Sequence, residues 1–197
     1  MIAVKESFPQ LTPDEYLVWE EKQLEKYEYI DGRVYVMGSD SISHSSVNHS
    51  RLAVRLTTLF ETHLGNTSCI TGNSDLKVNI AETTNYSYPD VSVTCDDRDR
   101  LTTQYITYPC LLVEVLSDST EAYDRGGKFR LYRNNPVLQD YLLVSSTQIE
   151  MDLYHKKETG EWLILNYQEG DVIELKSIGL SFPIEQVYRG LALTPEA

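Results

Sequence analysis

The sequence predicts a mixed α/β fold with one central sheet, and three stretches carry that expectation. "KYEYIDGRVYVMG" alternates around Asp31-Gly32, a two-residue hairpin signal. Between about Ser46 and Leu64 apolar residues recur at helical spacing, through Val47, Leu52, Leu56, Leu59 and Phe60. "LLVEVL", Leu111 to Leu116, is an apolar run of the kind that forms a strand buried on both faces. Helical and extended patterns follow one another without repeat, low-complexity tract or long linker, so one domain over residues 1–197 is expected.

Each element has a local reason. Thr12-Pro13-Asp14-Glu15 reads as a helix start, with Thr12 as N-cap, Pro13 in the first turn and Glu15 closing a capping box; the helix should run to about Lys22. Gly65 fits the stop of the second helix. Strands are expected at about 68–71, 74–80, 90–95 and 111–116. "DRGGKFRLYRNN", 124–135, reads as a helix that Pro136 ends. Strand "QDYLLVSS" comes next, then a hairpin from "IEMDLYHKK" to "WLILNYQ" around Glu158-Thr159-Gly160. A short strand and an apolar tail close the chain.

Composition narrows the function. No apolar run approaches the roughly 18 residues of a membrane span, and "MIAVKESFPQ" lacks a signal-peptide core, so a cytoplasmic protein without membrane partners is expected. Cys69, Cys95 and Cys110 show no CxxC spacing; this argues against structural zinc and suits buried, inert thiols in a reducing compartment. Thirty acids against 17 Lys and Arg give a formal charge of −13, which repels a polyphosphate partner unless a basic patch or a metal offsets it. There is no G-x-S-x-G, no P-loop and no G-x-G-x-x-G, so serine-hydrolase and nucleotide-cofactor chemistry lack a basis.

The chemistry gathers around Glu114, the one acid in "LLVEVL". An ionised carboxylate buried without partners costs at least several kcal/mol, so it needs a proton or a cation. Asp90, in "SYPDVSV", heads another β-branched strand, and two acids on adjacent strands can meet. Such a pair resists double ionisation unless a cation lies between them. Mg²⁺ or Mn²⁺ with oxygen ligands would satisfy both. Asp124, Lys128 and Tyr132 stand at i, i+4 and i+8 and share one helix face, although a solvated helix lysine is the ordinary alternative for Lys128. Arg125, Lys128, Arg130 and Arg133 could form a basic stripe for phosphates, or simply a solvated face.

"YEYIDGRVYVM", "SYPDVSV", "LLVEVLSDST", "YDRGGKFRLY" and "QDYLLV", in this order, resemble the Uma-two family of restriction-endonuclease-like proteins, in the PD-(D/E)xK superfamily, over about residues 10–190. The resemblance implies a central mixed sheet flanked by helices, with extra β-hairpins, and a metal-dependent DNA endonuclease working as a homodimer. It implies Asp90 and Glu114 as the metal-holding acids and Glu28 as a further one, a surface-hairpin acid being the alternative for Glu28. His44 resembles a family histidine; a substrate contact and a helix-entry hydrogen bond both fit it. Two residues after Glu114 the superfamily motif has lysine, but this chain has Leu116. Lys128 is the matching replacement and Lys77 in "SDLKV" the second choice. Arg125 and Arg130 are the candidate phosphate contacts. The alternative function is a catalytically inactive binding or regulatory protein on the same fold.

Overall fold

A computed structural model describes residues 10–37, 46–80, 85–118 and 120–193. The chain begins with α1 (Pro13–Glu20), whose capping box forms as expected: the Thr12 N–H donates to Glu15 Oε2 at 2.8 Å, and the Glu15 N–H donates back to Thr12 Oγ1. β1 (Tyr27–Ile30) and β2 (Arg33–Val36) form the expected hairpin, with Asp31 and Gly32 both at positive φ. α2 (Val47–Leu64) starts at the Ser46 cap, which accepts the His49 N–H, and ends at Gly65. Its buried face is Leu52, Leu56, Phe60 and Leu64; Val47 is exposed, because the first turn projects past the sheet's apolar surface.

The strands that follow are β3 (Ile70–Asn73), β4 (Lys77–Asn79), β5 (Tyr86–Ser87), β6 (Val91–Thr94), β7 (Tyr105–Ile106) and β8 (Leu111–Leu116). After a helical segment come β9 (Asp140–Ser145), β10 (Glu150–Lys156), β11 (Trp162–Gln168), β12 (Val172–Leu175), β13 (Leu180–Pro183) and α4 (Glu185–Tyr188). The central sheet has six strands in the order β11-β10-β9-β8-β6-β3. Only β8 and β9 are parallel in it. A second sheet, β2-β1-β5-β4-β7, and the β12–β13 hairpin stand beside it. The single sheet expected from the sequence is therefore corrected in one respect. β4 leaves the central sheet and pairs with β5 and β7, short strands that no run of alternation announces.

Each face of the central sheet has its own core. Val113 and Val115 point to the face covered by α2, β12–β13 and α4. Leu112 and Leu116 point to the other, against Tyr132, Tyr141 and Leu143. Period-two alternation puts Glu114 on this second face, between two leucines. Because β8 and β9 are parallel, the chain between them must cross over the sheet, and that crossover is helical. It comprises a π-helical turn (Tyr123–Lys128) running into α3 (Phe129–Tyr132). The connection delivers Lys128 and Tyr132 over Glu114.

The cysteine expectation is overturned. Cys69 and Cys95 form a disulfide with Cα atoms 4.1 Å apart, and Cys110 alone is a buried thiol. The β3–β6 register explains it: Ile70 faces Thr94, so Cys69 and Cys95 are the next opposed pair. The same pair of strands has a tightly packed glycine. A Cβ at Gly72 would lie 2.3 Å from Leu76 Cδ2 and 2.9 Å from Ser92 Oγ. Gly72→Ala should cost about 1–3 kcal/mol by overpacking, read as a lower urea midpoint with unchanged slope.

Candidate active site

Asp90 and Glu114 are brought together by register. The β6–β8 ladder pairs Val91 with Val113, so Asp90, one residue earlier, stands across from Glu114. The ladder ends there, and Asp90 Oδ2 accepts the next free N–H, that of Val115, at 2.7 Å. Glu114 is 3% exposed on the central strand. Its Oε1 accepts from the Tyr132 hydroxyl at 2.9 Å and lies 3.0 Å from Lys128 Nζ. Tyr132 is positioned in turn by the Ser87 hydroxyl at 3.0 Å.

Lys128 Nζ also lies 3.1 Å from Asp124 Oδ1 and 3.9 Å from Glu28 Oε1. One ammonium thus stands among three buried acids. The Tyr141 hydroxyl holds the π-helical turn in place by donating to the Asp124 carbonyl at 3.0 Å. Glu28 faces inward, as β1 alternation allows, and is buried. Leu116, where the superfamily motif has lysine, is 5% exposed within the apolar cluster of Tyr132 and Tyr141.

Electrostatics follow from burial. Desolvation raises the Glu114 carboxyl well above its usual range; Lys128 opposes this, while Asp124 and Asp90 add to it. Glu28 is raised too, by burial first, with Lys128 again opposing. Burial disfavours the Lys128 charge, but Glu114, Glu28 and Asp124 outweigh it and hold the ammonium protonated. His49 is likewise buried against its charge, and its contact with Asp90 at 3.3 Å raises it nonetheless.

His49 is a residue to which sequence alone assigns no role, beyond showing that, five residues from His44, it cannot form a helical two-histidine metal site with it. Its signal was the spacing 49, 52, 56, 60, which places it on the buried face of α2. His44 lies outside the described residues. Lys77 is not near Glu114: it is ion-paired with buried Glu20 and lies over the rings of Tyr16, Tyr86 and Tyr88. The basic stripe is also corrected. Lys128 turns inward, and Arg125 is tied to Glu121 and Asp152, since each finds acids nearer than solvent. Arg130 remains exposed on the outer face. His63 and His155 sit away from this cluster, on the Ile178 carbonyl and on Asp140.

The donor set suits a hard divalent cation. Four acids surround the site, and Glu28 Oε1 is buried without a hydrogen bond among the described residues, 3.9 Å from Lys128 Nζ. One ammonium does not balance them. Among the described residues no three of His, Cys, Asp and Glu converge as a finished metal cage. Asp90 and Glu114 stand opposite each other by the β6–β8 register, with Glu28 next to Lys128.

Comparison with known proteins places these features in a family. A crystal structure from Anabaena variabilis, described as a putative nuclease belonging to DUF820, superposes with a TM-score of 0.69 at 15% identity, covering 90% of this chain and 97% of that one. It shares the fold. Two Synechocystis proteins are similar in sequence: "Uncharacterized protein slr1290", 66% identical over 94% of this chain and 95% of its own, and "Uncharacterized protein sll1609", 35% identical over 78% and 85%. Residues 13–185 match Uma2, a family described as "Putative restriction endonuclease". With that match over most of its length, the chain belongs to the Uma2 family.

Proposed function

We propose that this protein is a metal-dependent DNA endonuclease. The observation that carries the reading is Lys128 Nζ at 3.0 Å from Glu114 Oε1, on the strand face where Leu116 replaces the motif lysine. Asp90 and Glu114 would hold Mg²⁺ or Mn²⁺, with Glu28 as a further acid. The bound ion would activate water and neutralise charge developing on the scissile phosphate. Lys128 keeps a permanent positive charge beside Glu114, aimed at the same developing charge. Tyr132 and Ser87 fix the Glu114 carboxylate, while the Val115 N–H and His49 fix Asp90. A homodimer, which would bring two such sites to one nucleic acid, belongs to the proposal.

Two observations favour a second reading, a non-catalytic protein on the nuclease fold. Lys128 already neutralises part of the acid cluster, and no finished metal cage stands among the described residues. Incubation with supercoiled plasmid separates the two. The endonuclease nicks it in Mg²⁺ or Mn²⁺ and stops when a chelator is added. Absence of nicking, together with no divalent-cation binding by calorimetry, would establish the second reading instead.

A further inference from the structure

Two exposed tyrosines, on the hairpin that carries Glu28 and on the turn that carries Lys128, are not used by the chemistry above. Tyr35 on β2 is 47% exposed and Tyr123 in the π-helical turn is 43% exposed. Tyr35 is directly opposite Glu28 in the β1–β2 ladder, so both side chains leave the same face of the hairpin. Tyr123 comes to that place from the crossover helix. Its hydroxyl is pushed up to about 12 by burial and by Glu28, with Lys128 opposing and Tyr35 and Asp124 adding. Lys128 Nζ lies 3.9 Å from Glu28 Oε1, so the turn that carries Tyr123 and the hairpin face that carries Tyr35 meet at Glu28.

The Tyr123 ring is set by backbone rather than by chance. A Cβ on Gly127 would fall 2.3 Å from Tyr123 Cδ2, so the ring occupies the space that a side chain at Gly127 would fill. Gly127 immediately precedes Lys128, and the contact ties the ring to the turn that delivers the lysine. A hairpin tyrosine opposite Glu28 and a tyrosine packed against the Lys128 turn thus flank the site.

Charge determines what such a lip can bind. With a formal charge of −13 and four acids at the site, phosphate attraction is a poor source of affinity. An aromatic face attracts a nucleobase without needing positive charge, and every base has a π-face. A base paired inside a duplex has no face to offer; an unpaired one does.

We propose that Tyr35 and Tyr123 form a stacking lip that holds an unpaired nucleobase beside the scissile phosphate, so that the preferred substrate is single-stranded or locally unpaired nucleic acid. This rests on the nuclease reading of the same site. The probe is a single-stranded oligonucleotide bearing one 2-aminopurine, in deoxy and ribo forms, against a fully paired duplex, with Ca²⁺ present. The wild type should bind the single strand more tightly and quench its fluorescence. Y35F/Y123F should keep the quench, whereas Y35A/Y123A should lose it and bind roughly tenfold more weakly, raising KM more than it lowers kcat. Circular dichroism of both exposed double variants should match the wild type. Y35A/Y123A quenching and binding like the wild type would overturn the lip while metal-dependent nicking still stood. Failure to bind any nucleic acid would overturn both.

Discussion

Lys128→Met is expected to lower metal-dependent nicking by on the order of 10²- to 10³-fold, the usual loss when one preorganised charge is removed from a site of charge development. The variant should also be less stable. Glu28, Glu114 and Asp124 share this ammonium, and Glu114 and Asp124 are almost wholly buried. Stranding buried acids costs about 3–5 kcal/mol unless they take up protons. The pH dependence follows from Glu114 and Glu28, whose carboxyls already sit above their ordinary values through burial. An acid raised in the folded state favours folding below its unfolded pKa and loses that contribution as pH rises through the folded value. Urea unfolding in chelator should therefore show a small gap between variant and wild type near pH 4, widening toward neutral pH.

Removing either opposed acid should have a comparable or larger effect on activity. Asp90→Ala and Glu114→Ala each delete a member of the pair that register places face to face. Nicking should fall to background, on the order of 10³-fold or more, because metal and water would both lose their anchor. Calorimetry with Mn²⁺ gives the independent readout: binding seen with the wild type should vanish in each variant. Their stabilities should diverge. Glu114→Ala removes a desolvated carboxylate and leaves Lys128 with Asp124 and Glu28, whereas Asp90→Ala leaves the Val115 N–H and His49 without their partner.

Much of this site could be read from the chain because strand and helix periodicity are local. "LLVEVL" fixed Glu114 as an acid inside a buried strand, and the i, i+4, i+8 spacing of Asp124, Lys128 and Tyr132 placed them on one helix face. Both hold even though the helix opens with a π-helical turn. What depended on tertiary contact was not legible. Arg125 looked like a phosphate ligand, yet its partner Asp152 lies on β10, 27 residues away. Lys77 looked like a spare catalytic lysine, yet Glu20 on α1 claims it.

His49 illustrates the same limit from the other side. The apolar repeat of α2 counts only carbon-rich positions, so a histidine in register with Leu52 and Leu56 went unassigned. It meets Asp90 because the Ser46 cap starts the helix at the open end of the β6–β8 ladder. The Cys69–Cys95 bond was hidden likewise, since strand register cannot be read from cysteine spacing.

In the proposed function Lys128 supplies from the crossover helix the charge that the PD-(D/E)xK motif carries at the position of Leu116. Plasmid nicking in Mn²⁺ by K128M and by L116K/K128M, side by side, tests it most directly. Leu116 shares the strand face of Glu114, so a lysine there would leave the sheet on the same side. K128M should nick on the order of 10²- to 10³-fold more slowly than the wild type, and L116K/K128M should recover part of that loss. K128M nicking at the wild-type rate would contradict it.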